Sequence, residues 1–366
     1  MKINTKRDNL LEPLQNLANV VQRRQTLPIL ANILIKAGNG LIDMTATDLE
    51  VELKTQAVAE CEVEVEFTIP ARKILDICKA LPEEAEITID LEKDKARVSS
   101  GKSRFILGIL PAQDYPVIEA TASTNIINIR ERELKRLIDR TSFAMAQQDV
   151  RYYLNGMLLE INTNNLRTVA TDGHRLAMSE IKKSKKDDQE IQVILPRKAV
   201  IELSRLLNEY DEDIKIELSS NYLKVILQNS IFTTKLIDGR FPDYMRVMPS
   251  GLDKTLIAEK NLLKQSLSRA SILSNEKYRG ISFNVINGIL QLQAHNPEQE
   301  EAEEEVDIEY QGEDIKIGFN VGYLLDAISA IPEPDIIIEL KDSNSSALIY
   351  GKNNKESQYV VMPMRI

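Results

Sequence analysis

A glycine-rich phosphate loop, a dinucleotide fingerprint and a cysteine pair at zinc spacing are all missing from this sequence. Their absence removes the common signatures of nucleotide-dependent enzymes and zinc modules. Only two histidines occur, His174 and His295, so a metal centre built on imidazole is poorly supplied. Cys61 and Cys78 are the only cysteines, too few for a disulfide framework in 366 residues and consistent with a reducing compartment. No apolar run approaches the roughly 18 residues a membrane span needs. The opening Met1-Lys2-Ile3-Asn4-Thr5-Lys6-Arg7-Asp8 has no apolar signal core, so the expectation is a cytoplasmic protein without membrane contact. A basic excess is lacking too: 46 Lys and Arg face 56 Asp and Glu, a net charge of −10. A protein that grips duplex DNA by contact usually carries the opposite balance. Net charge, however, says nothing about how charge is segregated.

What the chain does have is a threefold internal repeat. The segment from Ile69-Pro70-Ala71-Arg72 to Leu81 aligns without gaps on Leu195-Pro196-Arg197-Lys198 to Leu207, and again on Phe319-Asn320-Val321-Gly322 to Ile331. Each copy places a carboxylate (Asp76, Glu202, Asp326) at one point among apolar residues at helical spacing. Pro70 and Pro196 are expected in a helix's first turn, where the missing N–H has no partner to lose. Further helical patterns start near Leu10, Leu134 and Leu262, each followed by an apolar strand at Ile33–Ile35, Met157–Leu159 and Phe283–Ile286. Ala46-Thr47-Asp48, Ala170-Thr171-Asp172 and Ala294-His295-Asn296 give a third set of landmarks with the same period.

The pattern predicts three related domains, 1–124, 125–251 and 252–366, of the α+β class. Each would hold two helices and two small antiparallel sheets, because short strand runs joined by turns replace strict βαβ alternation. Alternation over Cys61-Glu62-Val63-Glu64-Val65-Glu66-Phe67 predicts one strand with a wet face.

Positive charge recurs on helical faces. Arg132, Arg136 and Arg140 are four apart, opposite Leu134, Leu137, Ile138 and Thr141. Arg72 and Lys79 are matched in the next copy by Lys198 and Arg205, and Lys264 and Arg269 add charge in the third. Each alone would be an ordinary solvated face. Recurrence at equivalent positions favours a shared positive lining inside a negative body.

The most enzyme-like stretch is Thr171-Asp172-Gly173-His174-Arg175-Leu176, where Asp172 and His174 could act as an acid–base pair in a hydrolase. No nucleophile motif accompanies it, and the equivalent stretch reads Thr47-Asp48-Leu49-Glu50, so a structural turn is the stronger reading. The acidic run Glu298–Glu305 lacks the glycine and the ligand alternation of a calcium loop and reads as a solvated or partner-facing edge. Cys61 and Cys78 read as core filler.

Several longer motifs carry a resemblance. They are Thr26-Leu27-Pro28-Ile29-Leu30, Gln148-Asp149-Val150-Arg151-Tyr152-Tyr153-Leu154-Asn155-Gly156, Ala170 to Leu176, Asp238-Gly239-Arg240-Phe241-Pro242-Asp243-Tyr244, Ile272 to Lys277, and Val360-Val361-Met362-Pro363-Met364-Arg365. Together they resemble the beta subunit of bacterial DNA polymerase III, from end to end of the chain. Small departures are the final Ile366, where the family often has Leu, and the 182–189 segment.

The resemblance implies a non-enzymatic sliding clamp without metal or cofactor. It would be a head-to-tail homodimeric ring encircling duplex DNA and conferring processivity on the replicative polymerase. A peptide pocket between the second and third domains would serve the polymerase III alpha subunit, the clamp loader delta subunit, other polymerases and repair proteins. Carried onto this sequence, the pocket comprises Leu154, Thr171, Gly173, His174, Arg175 and Leu176, then Pro242, Arg246 and Val247, then Asn320, Tyr323 and Ser346, and the tail Val360, Val361, Met362, Pro363, Met364 and Arg365. Apolar side chains would take hydrophobic anchors, and Arg175, Arg246 and Arg365 would meet a peptide's acidic or backbone oxygens. DNA would be met by Arg72, Lys79, Arg136, Arg140, Lys198 and Arg205, with Arg24, Gln148, Tyr152 and Tyr153 added on loops. The protomer contact would use Lys73, Lys102, Arg104 and Phe105 on one end, and Ile272, Leu273, Glu300 and Glu304 on the other. A cytoplasmic peptide-binding scaffold would keep the pocket but need neither ring nor basic lining.

Overall fold

The structure is a computed structural model that describes all residues except 22–26, 62, 119–121, 184–189 and 366. Six α-helices occur among the described residues: α1 (Arg7–Val20), α2 (Ala71–Ala80), α3 (Glu131–Asp139), α4 (Arg197–Leu206), α5 (Lys260–Ala270) and α6 (Val321–Ala330). Each follows a strand without an intervening loop, so the period read from the sequence is a strand–helix step made six times. The apolar side chains at helical spacing face inward, as with Leu134, Leu137 and Ile138 of α3. Two helices are capped by side chains: Glu259 accepts from the N–H groups of Asn261 and Leu262, and Asn320 from those of Gly322 and Tyr323. Pro70 departs from expectation by one position. It ends the strand Val65–Pro70 and is the N-cap of α2; likewise Pro196 ends the strand Ile191–Pro196 just before α4. As terminal strand residues, both avoid the ladder position where a missing N–H would matter.

The strands form four sheets. One of five runs in the order Glu60–Cys61, Lys2–Lys6, Glu86–Glu92, Lys95–Ser100, Ser103–Gly108. One of four runs Glu301–Asp307, Ile289–His295, Gly280–Ile286, Ile315–Asn320. The other two are larger than the small sheets expected. An eight-stranded sheet forms where Ser230–Lys235 pairs with Val51–Val58, and a nine-stranded sheet where Arg175–Lys182 pairs with Asn354–Val361. Edges that would be open in isolated repeats are closed by strands from the neighbouring repeat, which removes a row of unpaired backbone groups.

The single strand expected over Cys61–Phe67 is broken, and its residue 62 lies outside the described residues. Glu60–Cys61 pairs with Lys2–Lys6, whereas Val65–Pro70 pairs with Asn32–Gly38, so the chain changes sheets between them. The alternation does not survive the crossing, where Val63 and Glu64 are both exposed. Cys61 consequently is not core filler: it is partly exposed, with its Sγ 2.8 Å from the Val63 carbonyl oxygen. Cys78 is fully buried, and burial pushes its thiol up to about 11.

The chain divides into two compact units, Met1–Arg132 with Ile201–Leu236, and Glu133–Val200 with Ile237–Ile366. Every residue of the expected peptide pocket belongs to the second.

Candidate functional site

The nine-stranded sheet builds the site. The turn between Asn165–Thr171 and Arg175–Lys182 is fixed by its own side chains. Thr171 Oγ1 donates to the Arg175 carbonyl (2.6 Å) and accepts from the Gly173 N–H (3.1 Å). Asp172 Oδ1 accepts from the N–H groups of His174 (2.9 Å) and Arg175 (3.0 Å). The Asp172 carboxylate therefore holds backbone and is not turned to the His174 imidazole, which leaves no acid–base pair. The equivalent turn in the first repeat is drawn with the same bonds. Thr47 Oγ1 donates to the Val51 carbonyl and accepts from the Leu49 N–H, while Asp48 Oδ1 accepts from Glu50 and Val51.

The C-terminal segment is laid across this turn. Strand Asn354–Val361 pairs with Arg175–Lys182 in a register that sets Val361 against Arg175 and Val360 against Leu176. Beyond the strand, the Met362 N–H donates to the His174 carbonyl (3.0 Å) and the Met364 N–H to the Gly318 carbonyl (2.8 Å). Met362, Pro363 and Met364 are thereby pinned by backbone while their side chains stay part-exposed. Leu176 and Val360 are buried in a core cluster with Leu158, Val169, Phe241, Tyr244 and Leu348. Leu154 and Val361 are buried as well, so these four support the surface from beneath.

Arg175 departs most from expectation. Its Nε donates to Asp172 (3.1 Å), its Nη2 to the Phe143 carbonyl (2.7 Å) and its Nη1 to Asp326 on α6. The guanidinium also lies 4.5 Å from the Tyr323 ring centroid and 5.3 Å from that of Phe143. It is engaged within the chain and ties the turn to α6, instead of waiting for a ligand. Burial raises the pKa of the Tyr323 phenol and the Asp172 carboxylate raises it further, while Arg175 opposes both.

The segment carrying Pro242, Arg246 and Val247 is anchored by Tyr244. Its hydroxyl meets Arg167 and Glu160, and Arg167 is bonded in turn to Glu160 (3.0 Å) and Glu180 (2.6 Å). Arg246 itself is exposed and, among the described residues, pairs with Asp243 (2.9 Å), the N-cap of the short helical turn Tyr244–Arg246. Val247, Asn320, Tyr323 and Ser346 are part-exposed, and His174, Pro242 and Arg365 are exposed. Arg365 lines a hollow of about 450 Å³ with Tyr278, His295, Pro297 and Met364. The sequence reading missed Phe143 and Tyr244 as supports and took Asp326 for an ordinary helix carboxylate. Tyr244 stood in a quoted motif, but nothing local announced its partners.

Among the basic residues, Arg72 and Lys79 are exposed on α2, and Arg205 is exposed on α4, where it pairs with Glu202. Lys198 lies at the start of α4 and is part-exposed. Arg136 pairs with Glu356 (3.4 Å), and Arg140, just past α3, donates to Ser357 Oγ (3.2 Å). Burial, with the neighbouring Arg136 charge, lowers the pKa of Arg140. Gln148 (φ 57°) and Tyr152 are exposed, and Tyr153 is part-buried against the core cluster. Arg24 lies outside the described residues, as does Thr26. Lys73, Lys102 and Arg104 are exposed and Phe105 part-exposed. Ile272 is 75% exposed in the turn Ser271–Leu273, with Leu273 part-exposed beside it. Glu300 bonds Asn296, and Glu304 is held by Arg269 (2.6 Å). Among the described residues no three His, Cys, Asp or Glu side chains gather as metal ligands would, and no helix is long and apolar enough to cross a membrane.

Three family models cover the chain in succession. They describe the N-terminal, central and C-terminal domains of the DNA polymerase III beta subunit, at residues 1–119, 128–243 and 245–365. The chain belongs to the DNA polymerase III beta subunit family. It is 51% identical to the beta sliding clamp of Pseudomonas aeruginosa and 46% identical to that of Escherichia coli, with 100% of both chains covered in each case. Among solved structures, a Pseudomonas aeruginosa sliding clamp bound to griselimycin superposes with a TM-score of 0.96 at 51% identity. Caulobacter crescentus pol III beta does so at 0.93 and 36%, again over the whole of both chains. The beta subunit is a DNA sliding clamp of the replicative polymerase and a non-catalytic processivity factor, with a fold of three domains of helices and antiparallel sheets. A non-catalytic family asks no acid–base reaction of the Thr171–Arg175 turn.

Proposed function

We infer that the chain works in the cytoplasm as a head-to-tail homodimeric ring around duplex DNA. It docks its clients on the surface made by the Thr171–Arg175 turn, the 242–247 segment and the tail Met362–Arg365. The clients are the polymerase III alpha subunit, the clamp loader delta subunit, other polymerases and repair proteins. The observation that carries the docking site is the tail: backbone bonds to His174 and Gly318 fix it, while Met362, Pro363 and Met364 stay part-exposed beside buried Leu176, Val360 and Val361. Soft, apolar, pre-positioned side chains accept varied hydrophobic anchors at little ordering cost.

Domains 1–124 and 125–251 would contribute basic helices to the channel through Arg72, Lys79, Arg136, Arg140, Lys198 and Arg205, with Arg24, Gln148, Tyr152 and Tyr153 on loops, and domain 252–366 would add Lys264 and Arg269. Contact binding alone would suit a body of net charge −10 poorly. About six phosphate contacts lose roughly a thousandfold in affinity between 50 and 200 mM salt. Enclosure removes that dependence, and a weakly positive lining lets the ring slide without reading bases. The test is topological. Protein loaded by its clamp loader onto nicked circular DNA should survive a wash at about 0.5 M salt, beyond that electrostatic range, and be lost within minutes once the circle is linearised. Equal retention on both forms would show that it grips by contact.

A further inference from the structure

Arg175 offers an acidic peptide far less than its sequence position promises. Three of its donors are engaged, by Asp172, the Phe143 carbonyl and Asp326, and Tyr323 and Phe143 flank its plane. The side chain of Arg175 is only 12% exposed, whereas that of Asp326 is 49% exposed. What the pair presents to solvent is therefore a carboxylate. An incoming acid would have to displace Asp326 and then share one cation with Asp172 and the displaced group. A backbone N–H, a hydroxyl or a lysine could instead donate to the free lone pairs of Asp326 at no such cost.

The position recurs in the repeats, but its use does not. Asp76 is exposed on α2 and Glu202 pairs with Arg205 one turn along its own helix, while Asp326 alone reaches a turn from a different repeat. Two of the other charges near the turn are already engaged. Arg151 is bonded to both oxygens of Asp149, and Asp172 to its own turn and Arg175. Arg246, exposed and paired with Asp243, and the exposed Arg365 and Arg279 are the cations that an acidic group can reach.

We propose that Asp326 is a specificity-determining residue of the docking surface: it holds Arg175 in the wall and makes the side next to α6 reject acidic residues and accept donors. This rests on the docking reading above. Acetylated hexapeptides of leucine, methionine and serine, carrying Asp or Asn at each position in turn, test it by fluorescence anisotropy on the full chain. Wild type should prefer Asn over Asp about five- to tenfold at the position beside α6, the scale of one like-charge contact. Asp326→Asn, nearly isosteric, should abolish or invert that preference at this position alone, and Asp326→Glu should restore it. Unchanged selectivity in Asp326→Asn, or an equal affinity loss for every peptide with the melting temperature lowered, overturns the inference and leaves the docking site standing. Failure of every peptide to bind wild type overturns the docking site, and this inference with it.

Discussion

The turn at Thr171–Arg175 and its first-repeat counterpart use the same threonine and aspartate bonds, yet differ at the third residue. Both third residues are left-handed, Gly173 at φ 89° and Leu49 at φ 77°. For a residue with a Cβ that conformation costs about 1–2 kcal/mol, so the first repeat tolerates a strain that the docking turn avoids. Gly173 has a second reason to stay small. A Cβ there would lie 3.0 Å from the Arg151 guanidinium, which also donates to the Asp172 carbonyl. Gly173→Ala should therefore lower stability by about 1–2 kcal/mol in urea unfolding and weaken peptide binding, because Arg151 must withdraw from the turn. No change in either measurement would mean that the backbone relaxes freely and that the glycine is incidental.

At the scale of elements, the last strand does two jobs that can be separated by where the chain is cut. Val360 and Val361 are fully buried and paired with Arg175–Lys182 on one side and Ala347–Gly351 on the other, so they are sheet interior. Ending the chain after Tyr359 removes both, at about 1.5–3 kcal/mol each, and should lower the melting temperature sharply. Ending it after Val361 removes only the pinned tail. That protein should melt near wild type and lose peptide binding, a hot-spot loss of about 2 kcal/mol or more. Retained binding in the shorter truncation would place the site elsewhere.

The same strand marks where sequence reading stops. The six helices and the paired turns were legible because each is local, set by spacing within a dozen residues, and the threefold period because copies of those local patterns align along the chain. The pairing of Ser357 with Ser179 and of Ser230 with Thr55 joins residues far apart in the chain, and alternation carries no record of its partner. Arg175 shows the same limit at the site. The spacing marked Arg175 as a cation of the turn, but its partner Asp326 lies 151 positions away.

For the molecule as a whole, the proposed protomer contact rests on two sheet edges of opposite charge. The five-stranded sheet ends on Ser103–Gly108, with Arg104 and Ile106 exposed and Lys102 in the preceding turn. The four-stranded sheet ends on Glu301–Asp307, with Glu301, Glu303, Glu305 and Asp307 exposed. Charge on an edge strand discourages pairing with its own copy, but these two edges attract each other. A contact between unlike surfaces is head-to-tail, the arrangement proposed above for the ring. Arg269 clamps the acidic edge to α5 through Glu304, and α5 runs directly into the turn bearing Ile272 and Leu273. Ile272, 75% exposed beside this charged edge, would no longer leave its apolar surface in water if the proposed contact covered it. Burying both aliphatic side chains contributes about 3–6 kcal/mol, at roughly 1.5–3 each. Ile272→Ala with Leu273→Ala should therefore give a folded protein that sediments at protomer mass at low micromolar concentration, binds peptide as wild type does, and is not retained on circular DNA. An intact dimer in that variant would move the interface away from this turn, and retention on the circle by a monomer would remove the ring as the basis of DNA holding.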